Sequence, residues 1–234
     1  PSEFMGRYDY GNSYFSYKQG LVHTIFLNSY ASLIDGSKQR EWLVNTALPE
    51  VDRELTPWLA VIFHTPLYTT FSNHYGELNP KVMMASGMRE VFERYEVNLV
   101  VSGHDHAYMR TKPLDANGMV GDDGTVFWTL GAGGNREGHA NYKHKEAENW
   151  VAERNNDEFG FGLFFAPNAT RVATARLGEA RGWPSARVGK LAPRAIARSN
   201  ENSVLHLLFL FPESTSAREN LRKEFSCTHA GVIA

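Results

Sequence analysis

One cysteine, Cys227, is the whole thiol content of this chain of 234 residues. An internal disulfide and a thiolate metal cluster are thereby excluded, and cysteine usage does not fix the compartment. A charge of one sign is also missing. Lysine and arginine number 24 against 26 aspartates and glutamates, a net charge of −2, so nothing argues for a nucleic-acid groove or a polybasic membrane patch. No apolar run approaches the ~20 residues of a membrane span. The nearest, Val204–Phe211, is short enough for a core strand or helix. Pro1–Tyr10 is polar and has no apolar signal-peptide segment, and the abrupt opening on proline reads as a fragment. No internal repeat is present. The glycine-rich stretch Gly131–Asn135 lacks both the dinucleotide-fingerprint spacing and a P-loop lysine, which excludes a nucleotide cradle.

What remains is an ordinary globular composition, 42% apolar and 21% charged, in which two stretches stand out. Val97–Val101 is an apolar, β-branched run broken by Ser102 and Gly103, and His104 and His106 follow at once with Asp105 between them. Upstream, Trp58–Phe63 is a second continuous apolar run, and it ends at His64. Both read as buried strands, and α/β folds build their sites at the carboxyl ends of such strands. Three imidazoles at one sheet edge, without cysteines, suit zinc, iron, manganese or a similar borderline cation. An isolated H-x-H, or a lone histidine at a strand end, is more often structural; the repetition of the ending carries the reading.

Other elements follow from pattern. Ser13–Tyr17 and Leu21–Asn28 read as paired strands around a Lys18-Gln19-Gly20 turn. Ser37–Leu48 reads as an amphipathic helix facing inward through Trp42, Leu43 and Ala47, with Ser37 as N-cap and Pro49 as stop. Asn79–Tyr95 is expected to be a second helix, its core face Val82, Met83, Val91 and Phe92. Asp115–Gly124 is a turn region, Thr125–Leu130 a strand, and His139–Asp157 an exposed polar loop. Phe159–Phe165 and Ala169–Ala175 form a last hairpin, and the Arg/Ala/Gly/Ser-rich sequence from Arg176 onward shows little period. Strands alternating with helices, with near-continuous apolar strands, make an α/β fold.

Several motifs in order then carry a family resemblance. V-I-F-H-T-P-L-Y (Val61–Tyr68) and G-H-D-H-A-Y-M-R-T-K-P (Gly103–Pro113) resemble the V-x-x-H and G-H-x-H motifs of the purple acid phosphatases, which are calcineurin-like metallophosphoesterases. Gly11–Tyr17, Gln39–Leu43, the P-W-L-A-V strand and Gly131–Gly138 extend the likeness over roughly residues 8–172. The resemblance implies part of an αββα sandwich, central sheets flanked by helices, with its N-terminal half missing. Residues 1–175 would be the C-terminal portion of the phosphoesterase domain and 176–234 a divergent tail.

The resemblance further implies a dinuclear centre of Fe(III) with Zn, Mn or Fe(II). His64 and His104 would hold the divalent ion and His106 the ferric one, while His74 would face a phosphate monoester substrate. Asn73 stands where a further histidine is frequent, Met109 replaces an acid after Tyr108 and before Arg110, and Ala132 replaces an aspartate. The family's aspartate motifs, tyrosine ligand and G-N-H motif have no counterpart here. Asp9-Tyr10 and Gly11-Asn12 lack the required neighbours.

The function implied is acid phosphatase chemistry in the intact parent. The alternatives are an inactive fragment or pseudoenzyme acting as a binding module, or another calcineurin-like phosphodiesterase or nucleotidase. With half a domain absent, the faces carrying Trp58, Ile62 and Val100 are expected to lack cover. The family, together with the sequon Asn168-Ala169-Thr170, suggests a secreted or lysosomal/vacuolar glycoprotein. Neither nucleic acid nor membrane is an expected partner.

Overall fold

A computed structural model describes residues 12–73, 86–134, 136–169, 171–178, 187–191 and 205–209. Two sheets organise them. The larger has seven strands in the order β1-β2-β3-β4-β6-β5-β7. These strands are β1 (Phe15–Gln19), β2 (Val22–Phe26), β3 (Trp58–Ile62), β4 (Leu99–Ser102), β5 (Tyr108–Thr111), β6 (Val126–Leu130) and β7 (Val151–Asn155). Its centre, β2-β3-β4-β6, is parallel, whereas β1 joins β2 as an antiparallel hairpin and β5 pairs antiparallel with both β6 and β7. The smaller sheet is antiparallel, in the order β10-β9-β8-β11. It comprises β8 (Gly160–Asn168), β9 (Arg171–Gly178), β10 (Arg187–Leu191) and β11 (Leu205–Phe209).

The continuous apolar runs are what a strand buried on both faces requires, and their side chains divide by parity. Leu59 and Val61 of β3, Val100 of β4 and Phe127 of β6 join Leu43, Met88 and Phe92 in one core, beneath the helices. Trp58 and Ala60, with Leu99, Val101 and Trp128, join Phe164 and Ala166 of β8 in a second core between the sheets. The indole Nε1–H of Trp58 donates to the Asn168 carbonyl across that gap (2.9 Å). The sheets approach closely at Gly162, where an added Cβ would come within 2.6 Å of the Trp128 ring.

The faces expected to lack cover are therefore covered. Trp58 and Val100 are buried and Ile62 is partly so, because the β8 hairpin lies on one side and the helices on the other.

The first helix, α1 (Lys38–Trp42), widens into a π-helical turn at Leu43–Ala47. Ser37 occupies the N-cap position, but its hydroxyl donates to the Ser32 carbonyl (2.9 Å) and makes no capping bond. The second helix, α2 (Met88–Arg94), buries Val91 and Phe92 as expected, and Asn79–Ala85 lie outside the described residues. Two strands before residue 176 were not expected. β5 and β7 are mixed or polar in sequence, and β7 falls inside the predicted exposed loop; it is held by its ladder to β5, and Arg154 also donates to the His144 and Lys145 carbonyls. Beyond residue 176, β10 and β11 extend the smaller sheet. Among the described residues no helix is long and apolar enough to cross a membrane.

His23 on β2 is buried, and neither ring nitrogen has a hydrogen-bond partner among the described residues. Desolvation pulls its pKa below the ordinary 6.5, with Lys18 adding to the shift and Glu50 opposing it. The unfolded chain then takes up the proton more readily, so stability is full above about pH 6.5 and falls as pH drops towards the folded-state value. Urea midpoints at pH 7.5 and 5.5 should show this acid loss, and His23→Leu should reduce it. An unchanged loss would place the acid sensitivity elsewhere.

Candidate metal centre

Parallel pairing brings the carboxyl ends of β2, β3 and β4 to one edge. The register aligns Phe26 with Ile62 and Ile62 with Val101. The ladder then continues past the strands. Leu27 N–H donates to Ile62 O (2.8 Å), Phe63 N–H to Val101 O (3.1 Å) and Gly103 N–H to His64 O (3.0 Å). His64 and His104, forty residues apart in sequence, are thus set side by side with Nε2 of the first 3.0 Å from Nδ1 of the second. Their rings meet edge to face at 71°.

The turn bearing His104 is tight. Asp105 N–H donates to Gly103 O (2.8 Å) and Ala107 N–H to Asp105 O (2.7 Å), and His104 takes φ 61°, the left-handed region a non-glycine residue enters at a cost. Asp105 is fully buried, and its carboxylate accepts from the Thr69 hydroxyl, tying this turn to the loop that follows His64. Gly131 packs on the other side, where a Cβ would overlap the Asp105 carbonyl oxygen. The glycine loop after β6 therefore serves backbone contact with the histidine turn. His106 faces Glu137, Nδ1 to Oε2 3.6 Å, and its carbonyl accepts from Ala140 N–H.

The loop after β2 closes the third side. Ser29 Oγ accepts from Thr65 N–H (2.9 Å), and Tyr30 lies over His64 with ring centroids 6.0 Å apart. Sequence reasoning passed over Tyr30, Thr69 and Asp105. The first lies in a polar loop, and the other two show their role only through partners distant in sequence. His74 lies outside the described residues.

Two nitrogens ligating one ion at ~2.0–2.1 Å, at angles between square and tetrahedral, stand roughly 2.9–3.4 Å apart. The His64–His104 pair fits neighbouring ligands of a single divalent cation. A second ion is not matched in the same way, for among the described residues no group of three or more His, Cys, Asp or Glu side chains converges.

Known proteins are similar to this chain over much of its length. The family model for calcineurin-like phosphoesterase matches residues 3–108, and the model for iron/zinc purple acid phosphatase-like protein C matches 124–174. Purple acid phosphatase 21 of Arabidopsis thaliana is 39% identical over 153 residues, 65% of this chain and 34% of that protein. Purple acid phosphatase 18 of the same plant is 40% identical over 161 residues, 69% and 36% respectively.

The chain is similar to the purple acid phosphatases.

It spans about a third of the length of these relatives. In fold it resembles purple acid phosphatase PPD1 from yellow lupin seeds, with a TM-score of 0.65 at 19% identity, over 76% of this chain and 32% of that one. Against the purple acid phosphatase pattern the departures have local explanations. Met109 is fully buried with Phe71, Ala107 and Ala140, a seat that suits a thioether and would penalise an acid. Ala132 is buried and its carbonyl accepts from Gly160 N–H. Tyr108 packs edge to face on Trp128 in the core between the sheets, where burial raises its pKa, and Arg110 pairs with Glu153 at 3.8 Å.

Proposed function

We propose that this chain contributes to an acid phosphatase that hydrolyses phosphate monoesters at a dinuclear metal centre. His64 and His104 hold a divalent ion (zinc, manganese or ferrous iron), His106 holds Fe(III), and His74 faces substrate. The observation that carries the reading is the 3.0 Å approach of two imidazole nitrogens at the end of parallel strands. When bound, paired cations supply charge for the phosphoryl oxygens and make water acidic enough to attack in line. The chain's own part is positional. The β3–β4 ladder fixes His64 against His104, and the Asp105–Thr69 tie and the Gly131 contact hold the turn between them in place. An imidazole at position 74 can deliver the proton that the leaving oxygen requires.

Three imidazoles supply no bridging carboxylate, so we take the remaining ligands to come from outside this sequence and the chain alone to have little or no phosphatase activity. Residues 1–175 are taken as the phosphoesterase portion and 176–234 as an addition to it. A secreted or vacuolar glycoprotein accords with the sequon Asn168-Ala169-Thr170, whose asparagine is the last residue of β8. The second reading, a binding module without catalysis, is favoured by the lack of converging carboxylates among the described residues.

One experiment separates the two. The chain is joined to upstream residues of a full-length family member that carry the missing ligands, loaded with iron and zinc, and assayed for bound metal and for hydrolysis of an aryl phosphate. Turnover that falls by about 100-fold in His74→Ala supports the phosphatase reading. Two bound metals with no turnover would leave the binding module.

A further inference from the structure

Tyr30 has no evident reason to stand where it does. It is 57% exposed, an unusual position for a large aromatic side chain that contributes to neither core. Yet its loop is held firmly. Asn28 Oδ1 accepts from Tyr30 N–H (2.8 Å), Asn28 N–H donates to Gln39 Oε1 (2.7 Å), and Gln39 Nε2 returns a bond to the Asn28 carbonyl (3.0 Å). Gln39 is fully buried beneath the loop, and Ser29 ties it to Thr65 beside His64. A mobile surface tyrosine needs no such support. The ring, carried on this tied backbone, lies 28° from the His64 plane, on the side of that imidazole defined by β2, while His104 approaches from β4.

We infer that Tyr30 is a specificity-determining wall of the site, selecting phosphate monoesters whose leaving group is a flat aromatic ring. This rests on the phosphatase reading above. A phosphate held over the imidazole pair has its ester oxygen free to point along the edge, and a leaving group turned towards β2 meets the face of the phenol. Aromatic side chains reward such offset contact beyond simple area burial, and a ring carried on a tied backbone has only its two side-chain torsions left to order when it is used.

The test is calorimetric and needs no turnover. The full chain, loaded with zinc, is titrated with inorganic phosphate, methyl phosphate and phenyl phosphate. Phenyl phosphate should bind about fivefold more tightly than methyl phosphate. Tyr30→Ala should erase that preference while zinc and inorganic phosphate bind as before, and Tyr30→Phe should retain it. A preference that survives in Tyr30→Ala overturns the assignment. So does loss of zinc in that variant, which would make the ring a prop for His64. If the zinc-loaded chain binds no inorganic phosphate at all, this inference is overturned, while the phosphatase reading is decided separately by turnover of the chain joined to the upstream ligands.

Discussion

Removing the His104 side chain is expected to lower the affinity of the chain for zinc by more than about 100-fold. Losing even a partner that only orients a ligand costs 10–100-fold in metal affinity, and His104 contributes one of the two nitrogens themselves. The backbone makes the choice of substitute informative. At φ 61° any residue with a Cβ sits uncomfortably, so His104→Gly should be more stable to denaturant than His104→Ala by about 1 kcal/mol, though both lose the metal. Competition with a chelating dye gives the affinities and urea titration the stabilities. Equal zinc binding in wild type and in both variants would mean that the 3.0 Å histidine contact is only a pair of neighbours at a turn.

Gly131→Ala should unfold a large fraction of the protein under mild denaturant, costing about 3 kcal/mol or more. Overpacking usually costs 1–3 kcal/mol because side chains can give way. Here the new methyl would meet backbone, the carbonyl oxygen of Asp105, and this backbone is confined by the bonds from Asp105 N–H to Gly103 and from Ala107 N–H to Asp105. Relief requires the histidine turn or the end of β6 to move. Any surviving folded protein should therefore bind zinc poorly, although no ligand has been changed. Gly121→Ala, which meets nothing within 4 Å, is the control. A loss below 1 kcal/mol with normal zinc binding would show that the turn is far more yielding than its hydrogen bonds imply.

Much of this architecture was legible because hydrophobic burial writes itself into pattern. The apolar runs at 58–63 and 99–101 are buried on both faces, and His64 directly after the first and Gly103-His104 just past Ser102 after the second give the strand ends that carry the candidate ligands. Polar partnership is less legible. β7 reads V-A-E-R-N and owes its extended form to a neighbour, and the buried amide of Gln39 looks in sequence like any surface residue of a helix. Ser37 shows the same limit from the other side. The residue type was right for a cap and the position was right, but a nearer carbonyl took its proton. Within the site, the meeting of His64 and His104 followed from two similar strand ends, whereas Tyr30 could be recognised only once the β2 loop was seen beside β3. The placement of His74 lies outside the described residues.

The parallel centre of the larger sheet also bears on the order in which the molecule assembles. The β1–β2 and β8–β9 hairpins join strands close in sequence and can zip locally, on the microsecond scale of isolated hairpins. β3 and β4 cannot, since Ile62 finds Val101 only after the intervening chain has been drawn into a loop, and that closure comes before any reward from packing. The histidine pair therefore does not exist on the way to the native state until the slow, non-local step is complete. A divalent ion that recognises the pair binds the finished fold and slows its opening, while doing little to hasten its formation. The time course of zinc uptake would then be a clock for the closing of the central sheet.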